Sequence, residues 1–104
     1  MGIADLANDN VQIAAGLMAP DDLSITGDGQ VRFEENVMSG CKVRVIAVGR
    51  DVLIGARAWL GDNAVIRANV GANSIVTMNS VVFEDVPNNV VVDGNPAKKI
   101  WQIC

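Results

Sequence analysis

A branched aliphatic side chain returns at every sixth position through most of this chain, and that spacing restricts the fold more than any other feature. Val48, Ile54, Leu60 and Ile66 open successive hexads, and Val70, Val76 and Val82 open three more after a shortened step from Ile66 to Val70. A small or short side chain follows four places after most of them, at Val52, Ala58, Ala64, Ser74, Ser80 and Val86. Gly stands directly after Val48, Ile54, Leu60 and Val70, and Asn or Asp recurs just beyond it at Asp51, Asn63, Asn73, Asn79 and Asp85. An internal repeat of this kind means stacking of like units.

Six is the period of neither an amphipathic helix nor an alternating strand. It is the period of a solenoid side: a short strand with its aliphatic pointing inward, then a corner. Gly and Asn suit the corners because both tolerate the positive φ of a sharp turn. Three such sides make a triangular coil of about eighteen residues, stacked on the next at a strand spacing of roughly 4.8 Å. Each buried aliphatic is worth roughly 1.5 to 3 kcal/mol, so a narrow ladder of them can hold a fold nearly free of aromatics. The expected class is all-β, a parallel β-helix in a single domain.

Composition fits this and removes several functions. Half of the 104 residues are apolar, yet 4% are aromatic and none is Tyr. That suits core slots of one narrow size. No apolar run is long enough to span a membrane, and the N-terminus lacks a secretion-signal pattern, so a soluble, cytoplasmic protein is expected. Net charge is -4 with scattered basic residues, which argues against nucleic acid. Cys41 and Cys104 form no metal or redox spacing, and Cys41 reads as a small core residue. Histidine is absent, which removes imidazole zinc ligands and His-activated nucleophiles; no metal is expected.

Upstream the period is less regular. Val31, Val37 and Val43 continue it with a five-residue step to Val48, and Val11, Leu17 and Leu23 are again six apart. The reading is a cap or frayed end over 1–10, a solenoid over 11–87 with irregular coils at 11–30, and a C-terminal cap tail over 88–104. Residues 31–47 are either one more coil or a loop standing off it. Met18, Phe33, Met38, Trp59, Phe83, Trp101 and Ile103 do not all fit narrow slots, so some are expected to cover the solenoid ends or line a subunit interface.

The hexads from Val48 onward, closed by Asp85-Val86-Pro87 and Gly94-Asn95-Pro96-Ala97-Lys98, resemble the C-terminal half of the hexapeptide-repeat acyltransferases, of the sugar O-acetyltransferase kind. The resemblance covers about nine tenths of the chain. It implies a left-handed parallel β-helix, a homotrimer, acetyl-CoA as acyl donor and a small-molecule acceptor, and this chain looks truncated and divergent beside that family. Many members present a catalytic His in a Thr-Ser-Asp-Gly-His stretch. Here the stretch reads Thr26-Gly27-Asp28-Gly29-Gln30, so Gln30 stands at the position of the general base. An amide has no useful basicity near neutral pH. Asp28 is the stand-in base to weigh, against a plain role as a turn former.

The resemblance also places a CoA groove along the last coils. A Thr-Lys pair before Asp-Val-Pro and a basic residue after Pro-Ala help hold the cofactor in the family; here Phe83 and Glu84 take the first positions and Lys98 keeps the second. Glu84 puts like charge near phosphates. Asp62 and Met78 stand where smaller groove-facing residues are expected. Three readings follow: a transferase with another base, a degenerate member that still binds CoA or a small molecule, and a structural or interaction solenoid.

Overall fold

The computed structural model describes residues 10–103, and within them the chain is all strand and turn. The twelve strands are short, and most sit where an aliphatic hexad predicts one. They are β1 (Val11–Ile13), β2 (Ser24–Thr26), β3 (Val31–Phe33), β4 (Met38–Ser39), β5 (Arg44–Ile46) and β6 (Val52–Ile54), followed by β7 (Trp59–Leu60), β8 (Val65–Ile66), β9 (Ile75–Val76), β10 (Val81–Val82), β11 (Val90–Gly94) and β12 (Ala97–Gln102). They stack into three parallel ladders, which are the three faces of a triangular prism.

Face 1 holds β1, β3 and β6, continued by single bridges from Ile54 to Val70 and from Val70 to Val86. Face 2 runs β4, β7, β9 and β11 and is closed by β12; face 3 runs β2, β5, β8 and β10. Every pairing is parallel except β11 with β12, which turns back antiparallel. Residues 31–47 carry β3, β4 and β5 and form a complete coil. Residues 1–9 of the expected N-terminal cap lie outside the described residues. In the C-terminal segment, β11 still belongs to the solenoid wall, and β12 alone lies beyond it.

The core is the inward side of these ladders. Ile54, Leu60, Ile66, Val70, Val76 and Val82 are buried, as are Val52, Ala58, Ala64, Ser74, Ser80 and Val86 four places after each hexad opening. Two serines in an apolar core need partners. Ser74 Oγ accepts the Val90 amide, and Ser80 Oγ accepts the Gly94 amide and shares a bond with Thr77 Oγ1. Both bonds tie the last coil to the one before it.

The corners bear out the φ argument for Asn but not for most of the glycines that follow an aliphatic: only Gly49 has positive φ, while at Gly55, Gly61 and Gly71 a Cβ would lie 2.5 Å from the backbone of the next coil. Gly16, Asn36, Arg57, Asn73 and Asn89 have positive φ along the edge between faces 1 and 2, and Lys42, Asn63 and Asn79 along the edge between faces 2 and 3. Side-chain carboxylates and amides bridge the coils: Asp22 accepts from the Lys42 amide, Asp62 from Cys41, Asn88 from Ala72.

A uniform eighteen-residue coil is corrected by the register. Val11 pairs with Val31 and Val31 with Val52, steps of 20 and 21 residues. Ile54 then meets Val70 and Val70 meets Val86, two steps of 16. All the variation lies at one edge. Phe33 to Ser39 and Ser39 to Val45 are six residues each, and so are the matching sides of the later coils. Between faces 3 and 1 the chain needs Ile46 to Leu53 to travel from Val45 to Ile54, but only Arg67-Ala68-Asn69 between the residues level with them, Ile66 and Val70, and only Phe83-Glu84-Asp85 between Val82 and Val86.

Three sequence expectations fall to this geometry. Val48 is 62% exposed because the true inward predecessor of Ile54 on the neighbouring face is Val45, nine residues back, and the corner between them carries Val48 outward. Phe33 is fully buried: at the end of β3 it faces inward between Ile13 and Ile54, in a coil wide enough to take a ring. Cys41 is exposed, since it sits on a corner, where its amide donates to Asp62.

Candidate functional site

The edge between faces 3 and 1 is where length, strain and polar groups concentrate. Its first two corners are long and stacked on each other. Gly29 N donates to Ala47 O at 2.8 Å, Ala47 N to Thr26 O at 2.8 Å, and Val52 N to Gln30 O at 2.9 Å. Gly27 adopts φ +102, and a Cβ there would lie 2.4 Å from Ala47 O. At Gly29 a Cβ would lie 2.0 Å from Arg50 O. Only glycine allows two backbones this close. The Thr26–Gln30 stretch is therefore pressed onto the next corner by its glycines.

The next two corners, clipped to three residues, leave a step below that overhang. Arg50 spans it: its guanidinium donates to Asp85 Oδ1 at 2.8 Å, passing over the intervening corner of Asn69. The Asn69 amide donates to the same oxygen at 3.0 Å, and Asn69 Oδ1 accepts from the Leu53 amide. The Asp85 carboxyl is held below its ordinary value, chiefly by the Asn69 amide, which with the help of Arg50 outweighs the opposing effect of burial.

Two hollows open on face 1 under this edge. One of about 410 Å³ has Gln12, Gln30, Arg32 and Asp51 around Leu53 and Asn69. The second, about 580 Å³, continues from the same Leu53 and Asn69 over Gly55-Ala56 and Gly71-Ala72 toward Glu34, Glu35 and Arg57. Together they form one trough along face 1. Its upper end is rich in amides and its floor is made of small residues, a surface that an extended, flexible ligand can lie against. Arg32 is pinned there by Gln12 Oε1 at 2.8 Å and Glu34 Oε2 at 3.2 Å.

The residues singled out from sequence are divided by the fold. Gln30 lies in the trough; its backbone amide donates to Asp51 Oδ1 at 2.8 Å, and its side chain is exposed. Asp28 is exposed on the same corner and lines neither hollow. Phe83 and Glu84 sit on the last clipped corner of the same edge, three rungs away, roughly 14 Å at the usual strand spacing. Phe83 is stacked under the Arg67 guanidinium at 5.8 Å, a cation–π contact. Asp62 and Met78 lie on the edge between faces 2 and 3, sharing a hollow of about 380 Å³ with Trp59 and Thr77. Lys98 is exposed on β12, opposite Asp93. No one hollow among the described residues gathers all of these.

Glu34, Glu35, Leu53 and Asn69 carry most of the trough and were not legible beforehand. Leu53 and Asn69 bear no hexad signal, and Glu34 and Glu35 lie in the stretch whose folding was open. Asp51 was visible as a recurring corner acid, but not as the acceptor for the Gln30 amide. Among the described residues no group of three or more His, Cys, Asp and Glu is arranged to hold a metal ion, and no helix is long and apolar enough to cross a membrane.

No family model matches the chain. Individual proteins do. It is 30% identical over 111 residues to the galactoside O-acetyltransferase of Escherichia coli, covering 90% of this chain and 55% of that protein. The corresponding enzyme of Lactococcus lactis is 26% identical, covering 89% and 53%. Over 53 residues, half of the chain, it is 56% identical to a 2,3,4,5-tetrahydropyridine-2,6-dicarboxylate N-acetyltransferase of Clostridium perfringens, covering 21% of that protein. Among solved structures, a galactoside acetyltransferase in complex with coenzyme A superposes with a TM-score of 0.86 at 26% identity, covering 92% of this chain and 56% of that one. A superposition that extensive requires the same hand of coil. The chain thus spans a little over half the length of the sugar acetyltransferases it matches. Its stacked hexads, its single all-strand prism and these likenesses make it a member of the hexapeptide-repeat acyltransferase family.

Proposed function

We propose that this chain is a divergent acetyltransferase solenoid that binds coenzyme A or acetyl-CoA in the trough of face 1 but transfers acetyl groups poorly. The carrying observation is Gln30. It stands in the trough, on the glycine-pressed corner where the resemblance expects His, and no His exists elsewhere in the 104 residues. An amide there can orient an acceptor hydroxyl by hydrogen bonding but cannot take its proton. Absence of a general base removes a factor of about 10² to 10⁴ in rate. The solved relative named as a coenzyme A complex supports the ligand. Lys98, the cation that the resemblance assigns to the cofactor's phosphates, lies on β12 of face 2 and lines neither hollow of the trough, and Glu84 adds negative charge on the corner of Asp85, so the phosphate end is weakly held. A small acceptor would meet the amide-rich upper end at Gln12, Gln30 and Asn69. Self-association as a homotrimer accompanies this reading, since a prism this small leaves much of its apolar surface uncovered.

Calorimetric titration with acetyl-CoA, followed by thiol release in the presence of sugars, amines and amino alcohols, tests it. The expected result is a binding isotherm, with turnover near background that rises at least tenfold in Gln30→His. Wild-type turnover at ordinary enzyme rates would overturn the impaired-site reading. No heat at millimolar ligand would leave the structural solenoid.

One observation favours a second reading, an active transferase with a carboxylate base. Among the carboxylates around the trough, Glu34 is paired with Arg32, Asp51 with the Gln30 amide and Asp85 with Arg50; the Glu35 side chain has no such partner among the described residues. Under that reading Glu35→Gln abolishes turnover while acetyl-CoA still binds.

A further inference from the structure

The larger hollow of the trough, about 580 Å³, holds groups that the proposed chemistry leaves idle. It reaches the edge between faces 1 and 2, where one residue in each coil takes a left-handed turn. Gly16, Asn36, Asn73 and Asn89 fill four of these positions, and Arg57, at φ 60, fills the fifth. Gly and Asn accept that conformation readily, whereas a long side chain takes it against a steric penalty. A residue held in such a conformation is a place to look for function. Arg57 Nε donates to Asn73 Oδ1 at 2.7 Å, and its guanidinium forms no ion pair among the described residues.

Two backbone donors stand beside it. The turn amides donate down the stack, Arg57 to Glu35 O, Asn73 to Ala56 O and Asn89 to Ala72 O, so Glu35, Ala56, Ala72 and Asn88 lie on successive rungs. The Ala72 amide is capped from the rung above, by Asn88 Oδ1 at 2.8 Å. Above Glu35 and Ala56 the next side chains are alanines, which carry no acceptor. Both amides are therefore without a partner among the described residues. Of the carboxylates lining the hollow, Glu34 is engaged by Arg32 and Asp85 by Arg50, and only Glu35 has no counterion among the described residues. One corner thus offers a guanidinium and two N–H donors to an oxyanion, and a carboxylate to a cation.

We propose that this corner binds the carboxylate and ammonium of an α-amino acid, which makes an amino acid the acceptor class of the trough. The ligand's carboxylate takes Arg57 and the amides of Glu35 and Ala56, and its ammonium takes the Glu35 side chain. Its own side chain runs past Leu53 and Asn69, which both hollows share, toward Gln30. The acceptor role rests on the acetyl-transfer reading. In that transfer a side-chain amine or hydroxyl bonds to the acetyl carbon, the C–S bond of acetyl-CoA breaks, and the proton lost by the acceptor passes through solvent to the departing thiolate. A neutral sugar would leave both charges of the corner unmatched, and the site discriminates against it.

Calorimetric titration of the full chain with L-ornithine, putrescine and δ-aminovalerate tests this, since putrescine lacks the carboxylate and δ-aminovalerate the α-ammonium. Arg57→Asn removes the guanidinium but gives the turn the residue carried at Asn36, Asn73 and Asn89. Glu35→Gln removes the carboxylate alone, and Ala72→Asn supplies the missing cap over the Ala56 amide. Circular dichroism confirms that each is folded. The expected result is an ornithine isotherm with a dissociation constant raised at least tenfold in all three variants, and at least tenfold weaker binding of both truncated probes by the wild type. Equal binding of the three probes, or an ornithine constant unchanged in Arg57→Asn and Glu35→Gln, overturns the site. Heat with acetyl-CoA and none with ornithine overturns this acceptor and leaves the transferase reading standing. Heat with ornithine and none with acetyl-CoA supports the amino-acid site and overturns its place in a transfer.

Discussion

The first two coils and the two that follow share two sides of identical length and differ at a single edge. Between faces 3 and 1 the early coils carry long, stacked corners with glycines under compression, and the later ones are cut to three residues. The difference shows where this fold tolerates change. Sides that supply ladder hydrogen bonds and inward aliphatics keep their six residues, since any other number would turn the next side's aliphatics outward. A corner has no such constraint, because loops absorb length. The trough beneath the overhang is a product of that asymmetry: long corners above, clipped corners below, and Arg50 reaching across the step to Asp85.

The sharpest way to break the comparison uses the two phenylalanines, one in a long coil and one on a clipped corner. Phe33→Ala empties a fully buried slot and is expected to cost about 3 to 5 kcal/mol, which at about 4 to 8 °C per kcal/mol lowers the thermal midpoint by more than 12 °C. Phe83 is 49% exposed and its loss is expected to cost about 1 kcal/mol or less. Similar losses in thermal denaturation would mean that the early coils are no wider than the late ones.

Next come the glycines of the long corners. Gly27→Ala and Gly29→Ala bring a Cβ within 2.4 Å and 2.0 Å of the facing backbone, and an expected loss of about 3 kcal/mol follows from strain and forced separation of the corners. Gly49 also has positive φ, +76, but open space around it. Gly49→Ala should cost only the left-handed penalty, about 1 kcal/mol. Equal losses in urea denaturation would show that the two corners are not pressed together.

The smallest effect belongs to the bridge over the step. Arg50 and Asp85 are both well exposed, so Arg50→Ala should change stability by about 0.5 kcal/mol or less. Its sign with pH is fixed by the lowered Asp85 carboxyl. A depressed carboxyl stabilises the fold above its unfolded value near 3.8 and loses that contribution as pH falls below it. Thermal midpoints of wild type and Arg50→Ala should therefore differ slightly at pH 5 to 8 and converge as pH falls below 3.8 through the lowered value of the folded carboxyl. A gap that widens on acidification would contradict the bridge.

The scaffold was legible in the sequence because the inward positions repeat: Ile54, Leu60, Ile66, Val76 and Val82 declare their side of the prism whatever surrounds them. Corner length leaves no such periodic trace. Val48 keeps the hexad spacing by coincidence on a loop, and so read as core. Phe33 read as too large because a coil widened by its corner looks the same in sequence as a narrow one. The site was half legible. Gln30 could be located through the resemblance of Thr26-Gly27-Asp28-Gly29-Gln30 to the family's motif, but Glu35, Leu53 and Asn69 are brought to it by stacking, across steps of 16 to 21 residues, and nothing local marks them.

The central claim is that the trough keeps its ligand and lacks its base. Paired measurement of acetyl-CoA binding and of thiol release, on wild type and Gln30→His with the same acceptor panel, tests it most directly. The account predicts comparable binding by both proteins, background turnover by the first and at least tenfold more by the second. Brisk turnover by the wild type, or no binding by either, would contradict it.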